Sequence, residues 1–511
     1  MMMMMDDDDD DDGVPFTSTF DKDLLLPLLV PPPLPAADGG VSPIWVYLDS
    51  RAYIAPEHIT NATTASSTTR NGIDIHVSFC LATPPRLSYL CVHCPRPGGG
   101  GYQIVLDPQV ISTHADLALL RVPLPNDGLH CGFRSYDFFV YTARPRPGAS
   151  SLHRLPNPHA SPFSSNAVSI LRCSANRYVI AALMHTLRGD MEFNLQRYDS
   201  DIGHWTSTPV LVDKPQRDTV LPIPDTATEL LFHDTTKVIT LGGPRGTIGW
   251  VDLWRGILLC DVLDKVPVLR DLPLPKPARR NRSSFCRGCP HSYRDITVVL
   301  QDASSCIKYV EMETRPGDPP PSQRRQPQHS DDDSGSEEKE QKQVAYYWKA
   351  NIWSMPIPVG SWEDWHKEFK LDVTDIAVDK VKYSELLPKI GIDPEETLRR
   401  LMTGQPTLAM DGSAISFLSK INYMDDKGWI VYVGLKNKAL QNVVELDHRK
   451  NSSFMRYYIT TDISKYLIKA TGETGTLVKT GVMIQGRRKN KSGKKKEQIR
   501  QTAMGRGKEM R

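Results

Sequence analysis

Gly-Thr-Ile-Gly-Trp-Val-Asp-Leu-Trp-Arg-Gly-Ile-Leu-Leu-Cys-Asp-Val, residues 246 to 262, reads as a strand, a turn and a second strand. Side chains alternate faces along a strand, so Trp250, Asp252 and Trp254 share one face and Val251 and Leu253 the other. Arg255-Gly256 turns the chain into the apolar run Ile257 to Cys260, which has the character of a strand buried on both faces. Gly249, Trp250, Asp252, Trp254, Arg255, Gly256, Cys260 and Asp261 are read as structural: two aromatic wedges between packed sheets, with Asp252 and Arg255 as a pair.

The same kind of hairpin recurs outward in both directions. Tyr89 to Cys94 is followed by Tyr102 to Leu106, Phe138 to Tyr141 by Ser151 to Leu155, and Phe193 to Tyr198 by Trp205. Beyond the opening stretch and Val268 to Leu272 come Tyr347 to Trp353 with Trp362, then Trp429 to Val433 with Leu440 to Val444. With Val92, Phe139, Leu195, Leu258, Ile352 and Val431 as anchors, the steps run from 47 to 94 residues. The 94-residue step falls to 65 once a 29-residue low-complexity insertion is removed. Units of this size with two or more strands each predict an all-β, irregular β-propeller-like body of about six hairpin-based blades. The alternative is a pair of antiparallel β-sandwiches built from similar hairpins. One short helix is expected, with Asp393 as its cap, Pro394 at its first position, Glu396 three residues past the cap, Leu398, Leu401 and Met402 on one face, and Gly404 ending it.

Composition bounds the rest. A chain of 511 residues, 40% hydrophobic and 24% charged, can bury a large core. Residues 1–43 form a leader of five Met, seven Asp and a Pro-rich stretch, which is the wrong charge for a signal peptide. Its longest apolar run, Leu24 to Val30, is broken by Pro27 and far too short to cross a bilayer. The body is read as residues 44–314 and 344–480. It is interrupted by the acidic insertion 315–343, which carries no apolar residue but proline and so cannot offset its ordering entropy by burial. Residues 481–511 form a basic tail. Net charge is +2, yet Arg487 to Arg511 alone holds 11 basic and 2 acidic residues. Within it Arg487, Arg488, Lys489, Lys491, Lys494, Lys495 and Lys496 have the pattern of a nuclear import address or a phosphate-binding arm, so importin or nucleic acid is the partner expected there.

Nine scattered cysteines, an odd number, make reduced thiols and an intracellular chain the expectation, in nucleus or cytoplasm and with no membrane partner. Cys91-Val-His-Cys94 and Cys286-Arg-Gly-Cys289 with His291 have the local spacing of zinc knuckles. However, 191 residues separate the pairs, and positions i and i+3 of a strand face opposite ways. No metal or cofactor is assigned. Gly242-Gly-Pro-Arg-Gly246 leads into a strand rather than a helix, so it reads as a hairpin turn and not as a phosphate loop. No catalytic residue is assigned and His114, His185 and His204 have no spacing partner.

The stretch from Gly246 to Pro275 resembles the hallmark of the plant family known as domain of unknown function 1618, abundant in grasses. The resemblance extends through Trp45 to Asp49, Arg51 to Ile54, Asn61 to Thr64, Val77 to Ala82, Ser88 to Cys94, Asp116 to Arg121, Arg294 to Ile296, Tyr309 to Met312 and Pro406 to Leu408, nearly everything from 44 to about 470. It implies a β-propeller or F-box-associated type of repeat body and carries no activity, cofactor or catalytic residue. The roughly 43 residues before the first strand lack a three-helix F-box pattern. The function expected is a non-enzymatic scaffold for an unknown protein partner. The alternatives are a nuclear, nucleic-acid-associated factor acting through the tail, and an enzyme with its site in the central channel.

Overall fold

The computed structural model describes residues 43–467 except 56–58, 96–106, 125–135, 147, 158–163, 187–190, 218–231, 284, 287, 300–304, 317–345, 424, 426 and 447–457. The chain divides into two units, Met1–Thr471 and Gly472–Arg511, and the described residues lie in the first.

The described chain is all-β, and its strands fall into six blades. Blades 2 to 6 each hold four consecutive antiparallel strands. Blade 2 runs Gln109–His114, Leu117–Pro123, Tyr136–Thr142, Ser151–Arg154; blade 3 runs Val168–Arg172, Tyr178–His185, Glu192–Asp199, His204–Asp213. Blade 4 runs Lys237–Gly242, Thr247–Asp252, Gly256–Asp261, Leu269–Pro273; blade 5 runs Arg294–Val299, Cys306–Pro316, Tyr346–Pro356, His366–Asp372. Blade 6 runs Met402–Leu408, Ala414–Lys420, Gly428–Gly434, Ala439–Leu446. Blade 1 is assembled from both ends of the body. Tyr458–Thr461 lies innermost and antiparallel to Val46–Asp49, which runs parallel to Leu87–His93, followed outward by Asp74–Cys80 and Ala65–Thr68.

The first strands of successive blades pack side by side around a channel. Ser112 reaches Ser169 at 3.4 Å, Ser169 reaches Thr240 at 2.6 Å, and the Lys237 ammonium reaches Asp295 at 2.6 Å. Thr297 of blade 5 meets Thr460 of blade 1 at 3.0 Å, which pinches the ring there. Radial packing of this kind excludes the pair of sandwiches.

Each seam between neighbouring blades holds its own apolar cluster, and strand alternation feeds two seams at once. In blade 4, Leu258 and Cys260 pack against blade 3 while Ile257 and Leu259 pack against blade 5. Both faces being covered, the strand reads as an unbroken apolar run. The outermost strands of blades 3 and 4 also pair, in parallel, through Val212 with Leu269 and Asp213 with Arg270.

Two local expectations need correction. The helix spans only Pro394–Arg400, with Asp393 accepting from the Glu396 N–H; Leu401 already has β dihedrals, and Met402 and Gly404 belong to the first strand of blade 6. The seven-residue helix is terminated by tertiary pairing of Met402 with Lys420, which overrides the local pattern. A second short helix, Lys380–Tyr383, capped by Asp379, precedes it, so there are two and not one among the described residues. The acidic stretch begins inside a strand: Arg315 stands opposite Tyr347.

Candidate functional site

The hallmark stretch forms the second and third strands of blade 4. Gly249 permits close packing, because a Cβ there would lie 2.9 Å from Ile257 Cγ2 and 3.0 Å from Ile239 Cγ1. Trp250 is fully buried between blades 3 and 4 and its indole N–H donates to the Ala167 carbonyl at 2.8 Å. The strand stops at Asp252, so Trp254 does not share a strand face with Trp250 and Asp252 as the alternation predicted. The cause is the Asp252 carboxylate, which accepts from the backbone N–H of Trp254 (2.9 Å) and Arg255 (3.2 Å) and curls the chain into a turn. Arg255 Nη1 closes it by donating to Asp252 at 2.8 Å. Gly256 follows where a Cβ would fall 2.8 Å from the Leu272 carbonyl oxygen.

Around this turn lie buried charges that the sequence reading did not single out. Arg217 and Asp271, both without exposure, bond through Nη2 (2.5 Å) and Nε (3.0 Å), and Asp271 also accepts the backbone N–H of Gln216 and Arg217. Arg294 donates to the Leu253 carbonyl at 2.9 Å and to Glu311 at 2.6 Å, and its guanidinium lies 4.6 Å over the Trp254 ring. The available signal was charge set among apolar strand residues, the pair Arg270-Asp271 in Leu269-Arg-Asp-Leu272 and the single Glu311 in Tyr309-Val-Glu-Met312. His233, also fully buried, is held well below its ordinary value by burial first and by Arg217 beside it. Cys260 is buried with its thiol pushed up to about 12, and Asp261 accepts from Thr247 at 2.5 Å.

A cleft of about 410 Å³ opens at one mouth of the channel and takes lining residues from all six blades. Arg51 donates to Asp107 at 2.7 Å across the seam of blades 1 and 2. Arg121 of blade 2 bonds Ser165, just ahead of blade 3, and Gln109 at 2.6 Å. Lys237 of blade 4 pairs with Asp295 of blade 5, and the His291 ring bonds the Thr236 carbonyl at 3.3 Å. Burial lowers the His291 pKa, Asp295 opposing it. Gln405 adds a left-handed φ of 49° at a bulge in the first strand of blade 6, a re-aiming device common beside functional sites. His291, Lys237 and Asp295 do line one cleft, the convergence that the channel-enzyme alternative requires. Nevertheless, four of these bonds join neighbouring blades and thereby stiffen the ring.

The cysteine pairs do not come together. Cys91 and Cys94 face opposite sides of blade 1: Cys91 Sγ lies 4.0 Å from Cys80 Sγ, while Cys94 is in the seam with blade 2, its thiol raised by burial to about 11. Cys286 sits by Trp254 and Phe285, and His291 turns to the channel. Among the described residues no group of three or more His, Cys, Asp or Glu side chains could hold a metal ion. His114 Nδ1 accepts from the Arg172 N–H at 3.0 Å. The turn Gly243–Gly246 links two strands of blade 4. The tail residues Arg487, Arg488, Lys489, Lys491, Lys494, Lys495 and Lys496 lie outside the described residues, as does residues 1–42 of the leader.

No curated protein matches the chain. Among solved structures it is similar to an exo-beta-1,3-galactanase from Clostridium thermocellum, at 9% identity over 68% of this chain and 63% of that one, with a TM-score of 0.25. A prolyl endopeptidase is matched at 9% identity over 65% of this chain and 42% of that one, TM-score 0.22. A Bombyx mori GH32 beta-fructofuranosidase is matched at 8% identity over 67% and 79%, TM-score 0.22. The chain thus spans less than two thirds of the first two. Residues 250–415, from the buried Trp250 through blade 5 to the second strand of blade 6, match the model of the family described as Protein of unknown function (DUF1618).

Proposed function

We propose that the body from residue 44 to about 470 is a plant member of this family throughout and serves as a non-enzymatic scaffold for a protein partner. The observation that carries the reading is the set of bonds across blade seams at the channel mouth, Arg51 with Asp107, Arg121 with Ser165 and Lys237 with Asp295. A ring stiffened in this way presents its loops preformed, and a preformed surface loses little conformational entropy on association. The test is affinity purification of the full chain and of a chain ending at residue 480. A stoichiometric partner retained by both supports the scaffold; turnover of a small molecule that is lost in His291→Ala overturns it.

A second reading follows from the nine-charge surplus of Arg487 to Arg511: nuclear import or nucleic-acid contact through the tail. It predicts nuclear accumulation of a reporter fused to residues 481–511, or DNA binding that weakens steeply with salt and vanishes when 487–511 are deleted. A cytoplasmic reporter together with unchanged DNA binding refutes it.

A further inference from the structure

The face that blade 5 turns toward blade 4 carries charge that the channel does not use. Across Cys306–Pro316, Tyr346–Pro356 and His366–Asp372 the register aligns Tyr309 with Trp353 and Lys367, Glu311 with Asn351 and Lys370, and Glu313 with Lys349 and Asp372. Tyr309 and Trp353 pack in the seam with blade 4, which fixes the side these rows share. The ladder shifts register at Glu368, and the extra residue brings both Lys367 and Lys370 to this side. Burial, then the Lys370 charge beside it, lowers the Lys367 pKa, with Glu313 and Glu311 opposing.

Over the first of these strands lies Lys276-Pro-Ala-Arg-Arg-Asn-Arg282, four basic residues in seven and no acidic one. Its backbone is pinned by carboxylates. Buried Glu311 accepts the Ala278 N–H at 2.8 Å and an Asn281 side-chain N–H at 2.9 Å, and Glu313 accepts the Arg280 N–H at 3.2 Å. The turn Arg279–Asn281 is therefore held from beneath, and the side chains of Lys276, Arg279, Arg280 and Arg282 are exposed. Among the described residues no carboxylate pairs with Lys276, Arg279, Arg280, Arg282 or Lys370. The Lys349–Asp372 and Arg294–Glu311 pairs cancel, which leaves six cations against Glu313. With strands about 4.7–4.9 Å apart, the arginines and the two lysines are separated by roughly 10 Å, about three nucleotides of a single strand.

The surroundings favour a polyanion at this patch. The whole chain is +2 and Arg487 to Arg511 is +9, so the rest carries −7 and repels phosphate elsewhere. Guanidinium forks match phosphate oxygens. None of the large exposed apolar side chains belongs to the patch, as a lipid surface would require. We propose that Lys276, Arg279, Arg280, Arg282, Lys367 and Lys370 form a sequence-independent binding surface for the phosphate backbone of a nucleic acid. The surface is separate from the basic tail and does not rest on the tail's role.

The test is fluorescence anisotropy with labelled oligothymidylate, titrated at several salt concentrations. The parent is the full chain with the seven basic residues from Arg487 to Lys496 each replaced by Gln. Arg279→Ala, Arg280→Ala and Arg282→Ala together are expected to weaken binding at least tenfold at low salt. They should also cut the slope of log affinity against log salt by about 2, at about 0.7 per single-strand phosphate. Lys389→Ala, Lys427→Ala and Lys436→Ala, three exposed lysines elsewhere, should leave both unchanged. Should the arginine variant unfold, Lys367→Gln with Lys370→Gln alters a different strand and is expected to weaken binding at least threefold. Affinity and slope indistinguishable from the parent in either set overturn the proposal, as does an equal loss in the control. Binding by the unaltered chain that disappears entirely on neutralising the tail assigns it to the tail and overturns the patch. Tighter binding of phosphatidylserine vesicles or an oligoglutamate peptide than of oligothymidylate, lost in the same arginine variant, overturns it too.

Discussion

Asp271→Asn removes one charge from the pair most completely shielded from water. Arg217 and Asp271 have no exposed side-chain surface, and the carboxylate holds two guanidinium nitrogens and two backbone N–H groups. The amide left by the substitution preserves shape and can still accept, but the guanidinium stays in the seam of blades 3 and 4 without a countercharge. Breaking a buried pair in this manner costs about 3–5 kcal/mol, whereas replacing both members with apolar residues is often close to neutral. Arg217→Met with Asp271→Leu should therefore destabilise by clearly less than the sum of the single changes. Urea unfolding at pH 7 followed by tryptophan fluorescence measures all three, and Glu385→Ala, which breaks the exposed Lys389 pair, should leave the midpoint where it was. If Asp271→Asn costs less than about 1 kcal/mol, or if the double variant equals the sum of the singles, the pair is not the buried, coupled unit described.

Stability should fall as pH drops below about 6.5. Unfolded, His233 takes a proton near its ordinary value of 6.5; folded, it does so only well below. In that window the unfolded chain binds more protons, giving a slope approaching ~1.4 kcal/mol per pH unit that flattens in His233→Gln, measured by urea midpoints from pH 7.5 to 5. Gly256→Ala should cost about 1–3 kcal/mol, since its Cβ meets the Leu272 carbonyl oxygen, backbone that cannot swing aside. Trp250→Ala should lose about 3–5 kcal/mol by leaving a void between blades 3 and 4, with Trp250→Phe well short of that. Residues 250–415 expressed alone should fail to fold, seen as an absent cooperative transition in thermal melts.

The six recurring hairpins in the sequence correspond to one structural position, the third strand of each blade, which holds Val92, Phe139, Leu195, Leu258, Ile352 and Val431. Those strands are legible because neighbours enclose them on both faces, which makes Gly256–Asp261 and Gly428–Gly434 nearly continuous apolar runs and seats large apolar residues such as Phe193, Leu195 and Ile352 in the others. The innermost strands are obscure for the opposite reason. Gln109–His114 and Tyr458–Thr461 line the channel with hydroxyls and an amide, which breaks the alternation that marks a strand, whereas Val238 to Leu241 within Lys237–Gly242 stays apolar enough to read as one before the Gly242 to Gly246 turn. The channel mouth was illegible for a different cause. Arg51, Lys237, His291 and Gln405 come from four blades and no local spacing relates them.

The family match and the folding unit have different edges. Residues 250–415 begin inside blade 4, after its innermost strand Lys237–Gly242, and end inside blade 6, before its third strand. Trp250, first of the match, packs with Leu171, Val179 and Phe193 of blade 3 and bonds Ala167, all outside the matched segment. Arg217, which pairs with Asp271 within it, is outside as well. A blade is apolar on both faces, so any interval cut from the ring leaves two such faces in water. Closure depends on Tyr458–Thr461 pairing with Val46–Asp49 and on a seam of few residues, Trp45, Tyr47 and Tyr458 against Ala409 and Ala414. The recurring segment is thus a sector of a circle whose stability belongs to the whole circle, and the strands at the two ends of the body are as necessary to Trp250 as its own hairpin.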